Sequence, residues 1–473
     1  MRTCIKNGCV VLEDGAVYQN IWIEDGRILG LTENDGVRPA DSVIDAKGLI
    51  VLPGGIDVHT HFNIDVGVRS VDDFTTGTRA AVFGGNTTIV DHMGFGPAGC
   101  SLHHQWTVYK GYTEGKCFAD YGLHGVLQHV DDAILEEMGQ MTREGMTSFK
   151  AYLTYDYKLS DDDILRVLEK LKAEGGIMPV HCENDAIIRY RRERLLADGH
   201  KEARYHPLSR PAYCEEEAVR RMIALSEAVE GGPLYIVHVS TGGSVEQIRT
   251  AKKRDCQVYA ETCPQYLVLD DSRYEDDDEG LKYIMSPPLR KKQDQEKLWE
   301  GLRDGTLSVV ATDHCSFDLW GDKQKGKADF SQCPNGAPGV ETRVPLIFSK
   351  GVSEGRIDLK TFARVISTNP AKLFGMYPEK GVIAPGSDAD LVFIDPEKEV
   401  TITREALHEN VDYTPYEGIK VKGWPVLTMI RGEVVVKDGR LRVRPGFGRF
   451  IKRHRISPLL PEEKAGGRGE GRA

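Results

Sequence analysis

The chain has 473 residues, 40% of them hydrophobic, enough for one large domain and an accessory one. Its 72 acidic and 61 basic residues leave a net charge of −11, which favours solubility and gives no basis for nucleic-acid binding. No apolar run is long enough to span a membrane, and Met1-Arg2-Thr3-Cys4-Ile5-Lys6 passes directly into strand-like sequence without a secretory pattern. A cytoplasmic protein is expected, and ten scattered cysteines without a CxxC pair fit reduced, mostly buried thiols.

Residues 1–51 read as short strands punctuated by Lys6-Asn7-Gly8, Glu13-Asp14-Gly15 and Glu24-Asp25-Gly26. A long middle follows, over 52–380. Strand-like runs at 50–58, 87–92, 121–130, 147–153, 177–181, 234–239, 257–261 and 308–312 alternate with helical stretches at 74–84, 132–144, 161–174, 215–230, 243–254 and 292–303. Eight strands in such alternation predict an α/β fold, a (β/α)8 TIM barrel. Turn punctuation returns at Ala384-Pro385-Gly386-Ser387 and Asp438-Gly439, so residues 381–450 are expected to join 1–51 in one small β-domain. The connections 182–214, 262–291 and 313–341 read as walls of a site, and the acidic run Glu275–Glu279 as a solvated loop tip. Residues 451–473 read as a basic tail, solvated or touching a neighbouring subunit, with a disordered Gly-rich end.

The chemistry gathers at strand ends. His59 and His61 are two apart at the end of a buried run, so both side chains leave one face of the strand. Lys150, His181, His238 and Asp313 also sit in or at the end of apolar strand-like runs, where a TIM barrel places its active site. Six such groups are too many for one tetrahedral ion and point to two divalent metals, roughly 3.5–4 Å apart. Beside two cations Lys150 favours the neutral amine, which carbon dioxide can convert to an anionic carbamate. On the residues alone, Lys150 reads first as a barrel lysine paired with an acid, and His181 and His238, each taken singly, as core or supporting histidines; their shared strand-end positions with His59 and His61 reverse that for the histidines. His92, His124 and His129 lie in strand-like runs and read as packing or supporting residues; Cys182, Cys315 and His314 should be turned away from the metals by alternation.

The motifs GGIDVHTHF (54–62), SFKAYLTY (148–155), VHCEN (180–184), YIVHVS (235–240), ETCPQYL (261–267), SPPLR (286–290) and ATDHC (311–315) resemble the hydantoinase and dihydropyrimidinase group of the amidohydrolase superfamily, bacterial D-phenylhydantoinases in particular. The resemblance covers roughly residues 1–450. It implies a β-sandwich built from both termini and two metals, zinc by expectation: His59, His61 and Asp313 on one, His181 and His238 on the other, and Lys150 bridging as N6-carboxylysine. It implies that Asp313 takes the proton of the attacking water and passes it to the leaving ring nitrogen. Tyr155 would donate to the developing oxyanion, and Ser286 and Asn335 would grip the ring amides through their backbone. The ring substituent would meet Phe62, Asn63, Ile64, Val66, Tyr152, Leu153 and Tyr157, a lining suited to an aryl group.

The expected reaction is D-selective opening of 5-substituted hydantoins to N-carbamoyl amino acids, by a homotetramer. Dihydropyrimidinase shares every motif and is the principal alternative. Phe62-Asn63 after the His-x-His argues against dihydroorotase, and Tyr155 argues against allantoinase. A non-catalytic scaffold on this fold would have lost ligands that are all present here.

Overall fold

Pro53-Gly54 is the point at which the chain changes sheets. The single strand expected over 50–58 is two: Ile50–Pro53 belongs to a sheet shared by the two ends of the chain, and Gly55–Thr60 opens the barrel. Proline lacks the amide hydrogen that a continuous ladder needs, and a Cβ on Gly54 would strike the Thr87 side chain at 2.3 Å, so only glycine passes this corner. The structure, a computed structural model, describes residues 1–33 and 39–459.

The barrel strands are β1 (Gly55–Thr60), β2 (Asn86–His92), β3 (Asp120–Val126), β4 (Phe149–Tyr152), β5 (Met178–His181), β6 (Leu234–Ile236), β7 (Val258–Thr262) and β8 (Val309–Val310). All are parallel and hydrogen-bonded in chain order. The six helical stretches read from the sequence form at or near the expected bounds, and Leu102–Thr113 and Asp185–Ala197 add two more. Local chemistry sets their ends. In Asp161–Glu174, Ser160 accepts from Asp163 N in a capping box, three aspartates fill the first turn, and Gly175 closes the helix in left-handed backbone.

The seam between β8 and β1 has little ladder. It is closed by a bridge between Thr60 and His314, with His61 N donating to His314 O at 2.8 Å. Two buried side chains complete it: Asp57 accepts from Thr312 N (3.1 Å) and Oγ1 (2.6 Å), and Arg343 donates to Val310 O (2.7 Å) and Ile56 O (2.8 Å).

Both ends of the chain build the accessory β-domain. Arg2–Lys6, Asn20–Glu24, Arg27–Thr32 and Ser42–Asp45 form a four-stranded sheet; Cys9–Leu12, Gly15–Val17 and Ile50–Pro53 join Leu391–Thr401, Lys420–Ile430, Glu433–Lys437 and Arg440–Leu441 in a seven-stranded one. Ile5, Ile21 and Ile23 of the first meet Val10, Val51, Leu391, Phe393 and Met429 of the second in one apolar core, the face-to-face packing of a sandwich.

The solvated tail expected after 450 requires correction for the described residues 451–459. Ile451 N donates to Tyr121 O, Arg453 N to Gly145 O, His454 N to Gly375 O and Ile456 N to Gly175 O, so the segment runs beneath the N-terminal ends of β3, β4 and β5. Arg453 is buried. The glycine-rich end of the tail lies outside the described residues.

Candidate functional site

At the C-terminal mouth of the barrel, β1 delivers His59 and His61, and the loop after β8 returns Asp313 between them. Asp313 Oδ1 lies 3.0 Å from His59 Nε2 and 3.1 Å from His61 Nε2. Donors bound to one ion at about 2.1 Å stand roughly 3.4 Å apart in a tetrahedron, so the three atoms are gathered at nearly ligand spacing. His59 Nε2 and His61 Nδ1 are buried without a hydrogen-bond partner. Of these, His59 Nε2 stands beside the Asp313 carboxylate without a well-directed hydrogen bond to it, which fits a metal site.

Across the mouth, His181 at the end of β5 and His238 after β6 meet with His238 Nε2 2.9 Å from His181 Nδ1. The His238 ring is 5.5 Å from that of His59, which puts the two clusters side by side. Lys150, on β4, is buried close enough to depress all four histidines when charged. Burial in turn pushes its own pKa down, to about 8, so a neutral amine is accessible there near physiological pH. Burial opposes the charge of Asp313, yet His59 and His61 outweigh it and hold the carboxyl well below its usual range.

Sequence reasoning missed the groups behind the ligands. His59 Nδ1 meets Glu261 Oε1, and Glu261 also accepts from Tyr235 Oη at 2.7 Å. His181 Nε2 faces Glu183 Oε2 at 2.8 Å, and Glu183 is paired with Arg210. A carboxylate on the far nitrogen orients an imidazole and raises its basicity as a ligand. Glu183 stood two residues beyond His181, a readable signal; Glu261 reaches His59 from a strand 202 positions away and gave none.

Tyr155, His238 and Asp313 all have left-handed backbone, with φ of 72°, 40° and 54°. Strain of this kind in bulky residues concentrates at functional sites. Tyr155 is 37% exposed at the mouth, its ring 5.5 Å from that of His181. Ser286 Oγ and Asn335 Oδ1 are buried without partners. The two loops that carry them are joined by a fully buried lysine absent from the sequence reading: Lys323 Nζ donates to Ile284 O (3.0 Å) and Pro334 O (3.2 Å).

Two residues expected to line the substituent pocket do not. Phe62 packs inward against Phe74 and His314, and Asn63 accepts from Phe74 N at 3.0 Å at the start of helix Phe74–Phe83. Ile64, also expected there, clusters with Cys315 and Phe317, and Phe95, which the sequence reading omitted, packs at a tilt against Tyr157 (4.4 Å) and Tyr152 (5.3 Å). His314 turns away from the histidines as alternation requires. Its Nε2 lies 3.2 Å from Asp72 Oδ2 and its Nδ1 accepts from Gly339 N and Val340 N.

The amidohydrolase family model matches residues 50–435. The chain belongs to the amidohydrolase family. It is a cyclic amidohydrolase by its relatives: it is 51% identical over 462 residues to a D-phenylhydantoinase of Escherichia coli O1:K1 / APEC, covering 98% of this chain and 99% of that protein. The crystal structure of dihydropyrimidinase from Brevibacillus agri NCHU1002 matches with a TM-score of 0.94 at 40% identity, over 97% of this chain and all of that one. D-hydantoinase from Bacillus sp. AR9 matches with a TM-score of 0.94 at 41% identity, over 97% and 100%. Among amidohydrolases, then, the likeness spans barrel and β-domain together.

Proposed function

We propose that this amidohydrolase hydrolyses the cyclic amide bond of 5-substituted hydantoins, D-selectively and with preference for an aryl substituent, to give N-carbamoyl amino acids. The observation that carries the reading is the convergence of His59, His61 and Asp313 beside the His181–His238 pair, with Lys150 buried among them. The full-length likeness to a D-phenylhydantoinase supports the substrate class, and the Phe95–Tyr152–Tyr157 cluster supports the aryl preference.

Two divalent metals, zinc in our reading, would be held by these residues, one by His59, His61 and Asp313 and the other by His181 and His238, with Lys150, as the carbamate, a further ligand. Bound there, they supply Lewis acidity toward the amide carbonyl and make a water nucleophilic near neutral pH. The chain's own groups do the rest. Asp313 Oδ1 is turned to the two histidines, which leaves Oδ2 to take the proton of the attacking water and return it to the departing ring nitrogen. Tyr155 Oη donates to the oxygen that gains charge. The backbone at Ser286 and Asn335 holds the ring amides, and Glu261 and Glu183 keep their histidines in one orientation. Action as a homotetramer in the cytoplasm is part of the proposal.

The second reading, dihydropyrimidinase, is favoured by the likeness to the Brevibacillus agri enzyme. Ring opening of D- and L-5-phenylhydantoin, dihydrouracil and allantoin should be assayed side by side, with metal content determined on the same sample. Two metals per subunit and preference for D-5-phenylhydantoin are expected. Preference for dihydrouracil would reassign the pocket, and absence of metal and of turnover on every ring would overturn the reading. Incubation with 13C-bicarbonate should give a carbamate carbon signal that disappears in Lys150→Ala.

A further inference from the structure

Arg453 is one of the largest fully buried side chains in the molecule, and the chemistry described so far does not use it. It enters the barrel from below. Its Nη1 donates to Ser148 Oγ at 2.8 Å and its Nη2 to Leu123 O. Both acceptors are neutral, and burial pushes its pKa down, to about 9, so the guanidinium still carries its charge at neutral pH. Gly122 makes room for it: a Cβ there would stand 3.3 Å from Arg453 Nε. A tail residue with only a packing role would not bring a charge into this space, since burying one costs several kcal/mol on the order seen for ions moved out of water.

The partners of Arg453 lead to the metal site. Ser148 Oγ lies 2.6 Å from His124 Nδ1, and His124 Nε2 lies 2.9 Å from Val58 O, the carbonyl that precedes His59. Arginine can only donate. Val58 O can only accept, so neutral His124 keeps its hydrogen on Nε2, and Ser148 Oγ, which accepts from Arg453, gives its own hydrogen to the bare Nδ1. This direction of donation satisfies Ser148, both nitrogens of His124 and the Val58 carbonyl, with Arg453 at its head; Arg453 Nε is itself buried without a partner. The His124 ring also stacks on His92 (4.1 Å, 17°), and the His92 ring lies 4.4 Å from that of His59 and 5.3 Å from that of His61. Ser148 itself lies two residues before Lys150.

We propose that Arg453 is a positioning residue for the metal centre: through Ser148 and His124 it holds the Val58–His59 peptide and the ring stack under His59 and His61 in their ligating arrangement. The C-terminal segment is thereby part of the metal site's support, although it touches no ligand. The proposal rests on the reading of His59 and His61 as metal ligands.

The test uses the full chain loaded with metal. Release of metal to an excess of chelator is followed for wild type, Arg453→Met, Arg453→Lys, Ser148→Ala and, as a control on the same segment, the exposed Lys452→Ala. Cobalt(II)-loaded samples give the ligand-field absorption, and the unfolding midpoint of each metal-free protein is measured alongside. Loss of a group that supports ligands typically weakens metal binding 10–100-fold. We expect Arg453→Met and Ser148→Ala to release metal about tenfold faster or more, with shifted cobalt bands. Arg453→Lys, which keeps the charge but loses the planar two-pronged donor, should be intermediate, and Lys452→Ala should match wild type. If Arg453→Met does not fold, Ser148→Ala and Arg453→Lys decide. Wild-type release rates and cobalt bands in Ser148→Ala and Arg453→Lys would overturn the proposal even if their midpoints fell, because that pattern is a structural brace alone. A wild-type protein that binds no metal would remove the ligand reading and the proposal with it.

Discussion

Asp313 Oδ1 stands within 3.1 Å of two imidazole nitrogens, on a residue held in left-handed backbone, and its carboxyl stays ionised despite burial. An ionised carboxylate in that place can both bind a cation and accept a proton. Asparagine keeps an oxygen for the cation and loses the proton site. Asp313→Asn should therefore retain its metal while kcat falls by about 10²–10⁴, the usual contribution of a positioned general acid or base. Metal analysis and steady-state kinetics on one preparation check this, and near-normal turnover would remove the proton role. At this scale the ligand types were readable, because alternation along a strand fixes which way His59 and His61 face. The carboxylates behind them were readable only in part. Glu183 is a near neighbour of His181, but Glu261 meets His59 only because β7 and β1 face the same barrel interior.

Between residues and the whole lie the loops that follow the strands. Segments 284–286 and 334–336 carry Ser286 and Asn335, and two buried side chains pin them: Lys323 to Ile284 O and Pro334 O, and His206 Nε2 to Met285 O at 2.8 Å. Lys323→Met frees both carbonyls from one donor without touching a metal ligand. KM for hydantoin should rise severalfold or more with metal content unchanged; an unaltered KM would show that the loops hold each other without it. His206 makes a pH prediction. Burial lowers its pKa from 6.5 to about 3, so between those values the unfolded chain binds a proton that the native one does not. Stability from this group is complete above about pH 6.5 and is lost as pH falls toward about 3. His206→Gln, which keeps a donor for Met285 O, should show a flatter fall of its unfolding midpoint across that window. The order of the barrel strands and six of the helices were legible from apolar runs and turn residues; Leu102–Thr113 and Asp185–Ala197, with weak apolar faces, were not. The break at Pro53-Gly54 was not, because residues on both sides are equally apolar and only tertiary packing assigns them to different sheets.

At the scale of the molecule, one buried ionic cluster ties the barrel to the β-domain. Lys380 Nζ donates to Asp390 Oδ2 (2.6 Å), Asp120 Oδ2 (2.9 Å) and Asp388 Oδ2 (3.2 Å). Asp120 begins β3 and is also paired with Arg431, at the end of a strand of the seven-stranded sheet, while Asp390 Oδ1 accepts from Arg431 N at 2.7 Å. Burial disfavours the Lys380 ammonium, but the three carboxylates outweigh it and raise its pKa, so it remains charged. Nothing in the sequence marked Lys380 as their meeting point, since two of the aspartates are close to it in the chain and the third is 260 positions away. Lys380→Met would leave the buried Asp120 and Asp390 with Arg431 alone, and the partly exposed Asp388 with only the distant Arg27. Removing one member of a buried ion network typically costs about 3–5 kcal/mol, chiefly because the remaining charges lose their compensation. Denaturant unfolding should show a loss of that order, with kcat of the folded enzyme little changed because the cluster lies at the N-terminal end of β3, away from the mouth. The double variant Lys380→Met/Asp390→Asn should recover part of the loss by removing one uncompensated charge. Equal stability of the single and double variants would mean that the lysine contributes through packing, and that the junction is held by its apolar contacts instead.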